Sequence, residues 1–135
     1  MKPRINIITL AVDDLARSLS FYRDGLGLPT QGIHDGMDHV AFELQSGLTL
    51  VLYPRTEVAK VANEASTPRS SLEFILSHAA SSKEEVDTIL NRAKSAGAVL
   101  PGETEEQPWG YFGYFKDPDG HLWEIIWNPG FATEA

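Results

Sequence analysis

A chain of 135 residues with 42% hydrophobic content can bury one core, or two small modules sharing one, without a covalent or metal staple. It has no cysteine, which excludes a disulfide framework, a thiolate nucleophile and Cys-ligated zinc, and leaves any chemistry to His, carboxylate, hydroxyl and aromatic side chains. A net charge of −8 with scattered Lys and Arg argues against nucleic acid, the apolar run Ile5–Val12 is too short to span a bilayer, and the start lacks the pattern of a secretion signal, so the expectation is a cytoplasmic protein with neither a nucleic-acid nor a membrane partner.

Residues 5–12, Ile-Asn-Ile-Ile-Thr-Leu-Ala-Val, are rich in β-branched side chains and bounded by polar ones, the mark of a mostly buried strand. Asp13 then stands as a candidate helix cap. Leu15, Ser18, Leu19 and Tyr22 recur at helical spacing, and Gly25 and Gly27 stop a helix over roughly residues 14–24. His39–Leu44 and Leu48–Tyr53 read as a hairpin turning at Gly47, with a weak signal for a short strand between Pro29 and Asp38. Residues 55–70 are polar and alanine-rich, suited to a connector with a turn or two of helix.

The pattern then restarts. Ser71–Leu76 reads as a strand, Ser81 or Ser82 with Glu84 or Glu85 as a capping box, and Val86, Ile89, Leu90 and Ala93 as the stripe of a helix closed by Gly97. A loop holding Pro101 and Pro108 leads to strands over 111–116 and 121–127 around Asp117-Pro-Asp-Gly120, where Pro presets φ and Gly accepts positive φ. At an offset of about 73 residues strand falls on strand, helix on helix, Phe42 on Phe115 and Gly47 on Gly120. Neither copy could cover both faces of its strands. The repeat therefore predicts an α+β fold in a single domain: a curved sheet around a central cleft, with the helices outside.

Two stretches within this repeat, Leu10-Ala-Val-Asp-Asp-Leu-Ala-Arg-Ser-Leu-Ser-Phe-Tyr-Arg-Asp-Gly-Leu-Gly27 and Phe115-Lys-Asp-Pro-Asp-Gly-His-Leu-Trp-Glu124, resemble the vicinal oxygen chelate superfamily. That superfamily includes glyoxalase I, extradiol dioxygenases, epimerases, and the bleomycin- and fosfomycin-resistance proteins. The resemblance covers nearly the whole chain and implies two paired βαβββ modules, about 1–60 and about 70–135, forming a curved mixed sheet, and a homodimer. It specifies fold better than activity, since one scaffold hosts many chemistries. Members with metal chemistry place one ligand on each of four strands. Carried over by position, those ligands fall on Ile7, Val51, about Ser71 and Glu124, of which only Glu124 has a ligating side chain. Zinc wants about four ligands and magnesium or calcium about six oxygens, so the expectation is no metal and no cofactor.

Side chains alternate along a strand, so a cleft-facing Glu124 takes Leu122 and Ile126 with it and sends Trp123, Ile125 and Trp127 toward the helices. Through the repeat, Ile7, Thr9, Thr49, Val51, Tyr53, Ser71 and Glu73 face the cleft, joined by His39, Ala41, Glu43, Phe112 and Tyr114, while Phe42 and Phe115 anchor the helix side. The lining is apolar and aromatic with a few orienting polar groups, as in small organic-ligand sites, and its rings and carboxylates favour a planar or cationic guest. The candidate ligand-binding residues are His39, Val51, Tyr53, Glu73, Trp109, Phe112, Tyr114 and Glu124. Trp109 reads equally as cleft mouth or core plug, Trp123 and Trp127 as core, and His34, His78 and His121 as surface residues near turns.

Two functions compete. The first is a metal-free binding protein of the glyoxalase/bleomycin-resistance type that holds a small organic molecule without chemistry. The second is an enzyme, a glyoxalase-like lyase, an isomerase or dioxygenase-like, with Glu124 as catalytic acid or base or as a metal ligand. Apolar side chains at Ile7 and Val51 favour binding.

Overall fold

The computed structural model describes residues 1–33, 37–65 and 72–130; His34 and Ser71 lie outside the described residues. The chain divides into two compact units, Met1–Arg69 and Ser70–Ala135, each with its own hydrogen-bonded sheet.

In the first unit, strand β1 (Ile7–Val12) leads into helix α1 (Leu15–Leu19), which continues as a π-helical segment over Ser20–Gly25. The cap is Asp14, whose Oδ1 accepts the Arg17 amide at 3.0 Å. Asp13, the expected cap, instead accepts from Arg55 at 2.8 Å and so ties the end of β1 to the start of α2. Strands β2 (Val40–Glu43) and β3 (Thr49–Pro54) complete a sheet of order β1-β3-β2, parallel between β1 and β3 and antiparallel between β2 and β3. Of the short strand expected between Pro29 and Asp38, the described residues show a single bridge, between Thr30 and Phe42. The connector begins with helix α2 (Arg55–Ala62), ended by Asn63 in the left-handed conformation. Leu10, Val12, Val40, Phe42, Leu50 and Leu52 line one sheet face and are all buried, with Phe21 and Tyr22 of the π-helical turn among them. Tyr22 meets Phe21 edge-on at 5.0 Å and Phe42 at 6.0 Å. Each such buried side chain contributes about 1.5–3 kcal/mol.

In the second unit, β4 (Ile75–Ala79), α3 (Lys83–Ser95), β5 (Glu105–Gln107), β6 (Gly110–Lys116) and β7 (Leu122–Trp127) follow the order β-α-β-β-β and form a sheet of order β4-β7-β6-β5. Ser82 caps α3, accepting the Glu85 amide at 3.0 Å, and Val86, Leu90 and Ala93 form its buried stripe. That stripe packs on the face of Gly113, where an added Cβ would come within 2.6 Å of Leu90 Cδ1, so glycine lets the helix approach closely. Tyr111 secures the same helix, its hydroxyl donating to Asp87 at 2.7 Å and lying 2.9 Å from the Thr104 hydroxyl.

Four expectations are corrected here. The fourth strand occupies Ile75–Ala79, not 71–76, because its register follows β7, with Ser77 opposite Glu124. The loop after Gly97 contains β5, a strand of Glu-Glu-Gln with no apolar alternation to reveal it. His121, expected at the surface, is buried at 4% exposure: it precedes Leu122 on the helix-side parity of β7, and its ring stacks on Phe74 at 6.2 Å. Trp123 and Trp127 are half-buried, the first stacked on Phe115 at 5.9 Å and the second lying under the Lys83 ammonium at 5.6 Å. Among the described residues no helix is long and apolar enough to cross a membrane.

Candidate functional site

Register decides which side chains share a face. In the second unit Glu124 lies opposite Ser77 of β4 and Tyr114 of β6, with Phe112 opposite Ile126 on the same face. The other face is taken up by α3, so the face of Glu124 is free of helix within this unit. Ser77 Oγ donates to Glu124 Oε1 at 2.9 Å and Tyr114 Oη donates to Oε2 at 3.1 Å. The carboxylate is thus gripped by one hydroxyl from each flanking strand, which fixes its plane and leaves lone pairs on both oxygens for a further donor. Burial, and then the hydrogen bond and charge of Glu124, hold the Tyr114 phenol above its ordinary pKa, so it stays protonated and a donor.

A row of rings extends from this carboxylate. Tyr114 meets Phe112 edge-on at 5.9 Å, and Phe112 lies flat against Trp109 at 4.9 Å with 11° between planes. Trp109 is 51% exposed, so it is no core plug: one face covers Phe112 and the rest is open to a guest. Two features place it. Asn128 Nδ2 donates to the Trp109 carbonyl, and the next residue must be Gly110, since a Cβ there would stand 2.6 Å from the Trp127 carbonyl oxygen.

In the first unit His39, Val51 and Tyr53 share the face turned away from the buried layer, with Thr9 and Ala41 opposite Val51. The His39 ring meets Tyr53 edge-on at 6.5 Å, and His39 Nδ1 lies 3.3 Å from Asp38. Burial, followed by the charges of Asp38 and Glu57, raises the Tyr53 phenol pKa. The eight candidates therefore fall into two sets: Trp109, Phe112, Tyr114 and Glu124 in one unit, His39, Val51 and Tyr53 in the other. Glu73 joins neither; it has the expected parity but sits in an exposed turn ahead of β4. Ser77 was missed. Continuing the alternation Glu73, Ile75, Ser77 one residue past Leu76 would have found it.

The donor set can be tested against a metal. The two neighbours of Glu124 in register carry hydroxyls, and both already point their protons at its oxygens. Among the described residues no group of three or more His, Asp or Glu could hold an ion. These residues do not fit a divalent metal.

A sheet of mixed strand directions built in the order β-α-β-β-β, with one face under a helix, is an architecture of the glyoxalase type. A family model for the Glyoxalase/Bleomycin resistance protein/Dioxygenase superfamily matches residues 4–125, and the chain belongs to that family. It is similar to the crystal structure of a glyoxalase-related enzyme from Fulvimarina pelagi, at 28% identity and a TM-score of 0.87 over 98% of this chain and 94% of that one. Among curated relatives it is 29% identical to the uncharacterized protein YraH of Bacillus subtilis (87% of this chain, 93% of the relative) and 29% identical to the metallothiol transferase FosB of Staphylococcus saprophyticus (90% and 74%).

Proposed function

We propose that this protein binds a small planar organic molecule without a metal, seating it on Trp109 and Phe112 with a donor or cationic group directed at Glu124. The observation that carries the reading is the hydrogen-bonded triplet Ser77–Glu124–Tyr114 at the end of the ring row. A carboxylate held by two hydroxyls is preorganised for a ligand N–H, and a half-exposed Trp stacked on Phe offers a flat apolar seat at little further entropic cost. The ligand is a monovalent or neutral ring system of modest size, and the protein acts as its holder, in cytoplasmic solution and as a homodimer.

The test uses protein kept in chelator and titrated with a panel of planar cationic dyes, read by tryptophan quenching. At least one dye is expected to quench saturably, with loss of quenching in Trp109→Ala and affinity weakened about tenfold in Glu124→Gln, the worth of one charge-assisted hydrogen bond. A panel that gives neither heat nor quenching overturns the reading.

A second reading has its own observation. Tyr114 and Glu124 form a donor–carboxylate pair of the kind used for proton transfer, and the similarity to the FosB transferase and to a glyoxalase-related enzyme lies in this family. On that reading Glu124 takes a proton from a bound carbonyl compound. Glu124→Gln separates the two: a holder keeps most of its affinity for a neutral ligand, whereas a catalyst loses its rate by orders of magnitude.

A further inference from the structure

The hairpin that carries Trp109 has a weak side. Its first strand, β5, is an edge of the sheet within this unit and is exposed along its whole length, so no buried apolar side chain anchors it. Gln107 pairs with Gly110, Glu106 with Tyr111 and Glu105 with Phe112, which leaves Pro108 and Trp109 as the turn. Whatever fixes Glu106 therefore fixes the chain just ahead of Trp109.

On the helix side of the sheet, one row of side chains crosses β5, β6 and β7: Glu106, Tyr111 and Trp127. The start of α3 grips every member of it. Lys83 Nζ pairs with Glu106 and stands 5.6 Å from the centroid of the Trp127 ring, and Asp87, one turn on, accepts from the Tyr111 hydroxyl at 2.7 Å. The two groups that share the Lys83 ammonium also flank the backbone support of Trp109. Glu106 leads into the turn, while the chain at Trp127 meets the turn's far side: the Trp127 carbonyl oxygen lies 2.6 Å from where a Gly110 Cβ would stand, and Asn128 Nδ2 donates to the Trp109 carbonyl.

We propose that Lys83 is a positioning residue for Trp109: its ammonium, shared between Glu106 and Trp127, clamps β5 and β7 to α3 and so keeps Trp109 stacked on Phe112. The pair is well exposed, at 42% for Lys83 and 61% for Glu106, so dissolved salt screens it. The stacking of Trp109 is thereby made dependent on ionic strength, and the seat it offers is firmer in dilute salt for a neutral guest as much as for a cation. That Trp109 is a seat rests on the function proposed above; that Lys83 holds it there does not.

The clamp is tested first without a ligand. In isotope-labelled, full-length protein the indole N–H resonance of Trp109 is identified by its loss in Trp109→Phe and followed together with the Overhauser contacts between the Trp109 and Phe112 rings. Lys83→Met, which keeps the apolar stem and removes the charge, should weaken those contacts about twofold and move the Trp109 resonance toward that of a solvated indole. Glu106→Gln should act in the same direction, and Lys83→Arg should restore both readouts. Molar sodium chloride should reproduce the Lys83→Met spectrum in the unsubstituted chain and leave Lys83→Met itself unchanged. An unaltered Trp109 resonance and unaltered ring contacts in Lys83→Met and Glu106→Gln, or the same loss in Lys83→Arg, would overturn the proposal. The dye that quenches Trp109 is then titrated into Lys83→Met, where about threefold weaker binding is expected. Displaced rings with unchanged dye affinity would overturn the link from the clamp to the seat, whereas dyes that bind no form of the protein count against the function proposed above and leave the clamp to the ring contacts.

Discussion

The two sheets set the same scaffold to different uses. In each, a central strand runs parallel to the first strand of its unit and antiparallel to its hairpin partner, and Val51 and Glu124 occupy corresponding places on those central strands. Val51 has Thr9 and Ala41 as neighbours; Glu124 has Ser77 and Tyr114. One copy thus surrounds an apolar side chain with a small hydroxyl and a methyl, and the other surrounds a carboxylate with two donors. The lesson is that a polar group persists in a sheet face when its neighbours in register are chosen with it, since a lone carboxylate among apolar walls would lose water without gaining partners.

The sharpest way to break the comparison is in the parts the copies share. Leu52 and Ile125 are equivalent and fully buried, at 0% and 2% exposure. Truncating either to Ala should cost about 2–5 kcal/mol, seen as a lowered urea midpoint; a much smaller loss at one would mean that its unit is loosely packed. Helix caps come next. Asp14 and Ser82 each accept an amide three residues on, and each change to Ala should cost about 1 kcal/mol by the same measurement.

The faces that differ should respond differently. Glu124→Val, which copies the first unit into the second, strips two hydroxyls of their acceptor and should cost about 1 kcal/mol, whereas Val51→Ala, at a half-buried position with no polar partner, should change dye binding not at all. The smallest effect is in titration. Because burial and Glu124 raise the Tyr114 pKa in the folded protein, the associated stability is present below the unfolded value of about 10 and is lost as pH climbs through the raised one. Ultraviolet titration should show late tyrosinate ionisation to which Tyr53 and Tyr111 also contribute; Tyr114→Phe should remove the share of Tyr114, and Glu124→Gln should move that share to lower pH.

Much of this architecture could be read before any coordinates. The hairpins around Gly47 and Gly120 declare themselves by alternation and turn chemistry, and the family resemblance lies in the same stretches. Phe42 and Phe115 anchor their buried layers because parity along a strand survives errors in its ends. What escaped was set by tertiary register. The hairpins repeat at 73 residues, Val51 to Glu124, but the first strands repeat at 68, Thr9 to Ser77, so no uniform offset locates the fourth strand; the apolar run Leu72-Glu-Phe-Ile-Leu76 drew it early and placed Glu73 within it, where the structure has a turn. Strand β5 is all Glu and Gln, and no apolar pattern marks it. His121 looked solvated because it follows a tight turn, yet Asp117 accepts its amide at 2.8 Å and draws the backbone inward.

Calorimetric titration of planar cationic dyes into chelator-treated protein, repeated after adding zinc, nickel, manganese or iron, addresses the central claim most directly. The account predicts saturable heat in chelator, weakened in Glu124→Gln and indifferent to added metal. Binding that appears only when a metal is supplied, with the metal held in stoichiometric amount, would contradict it.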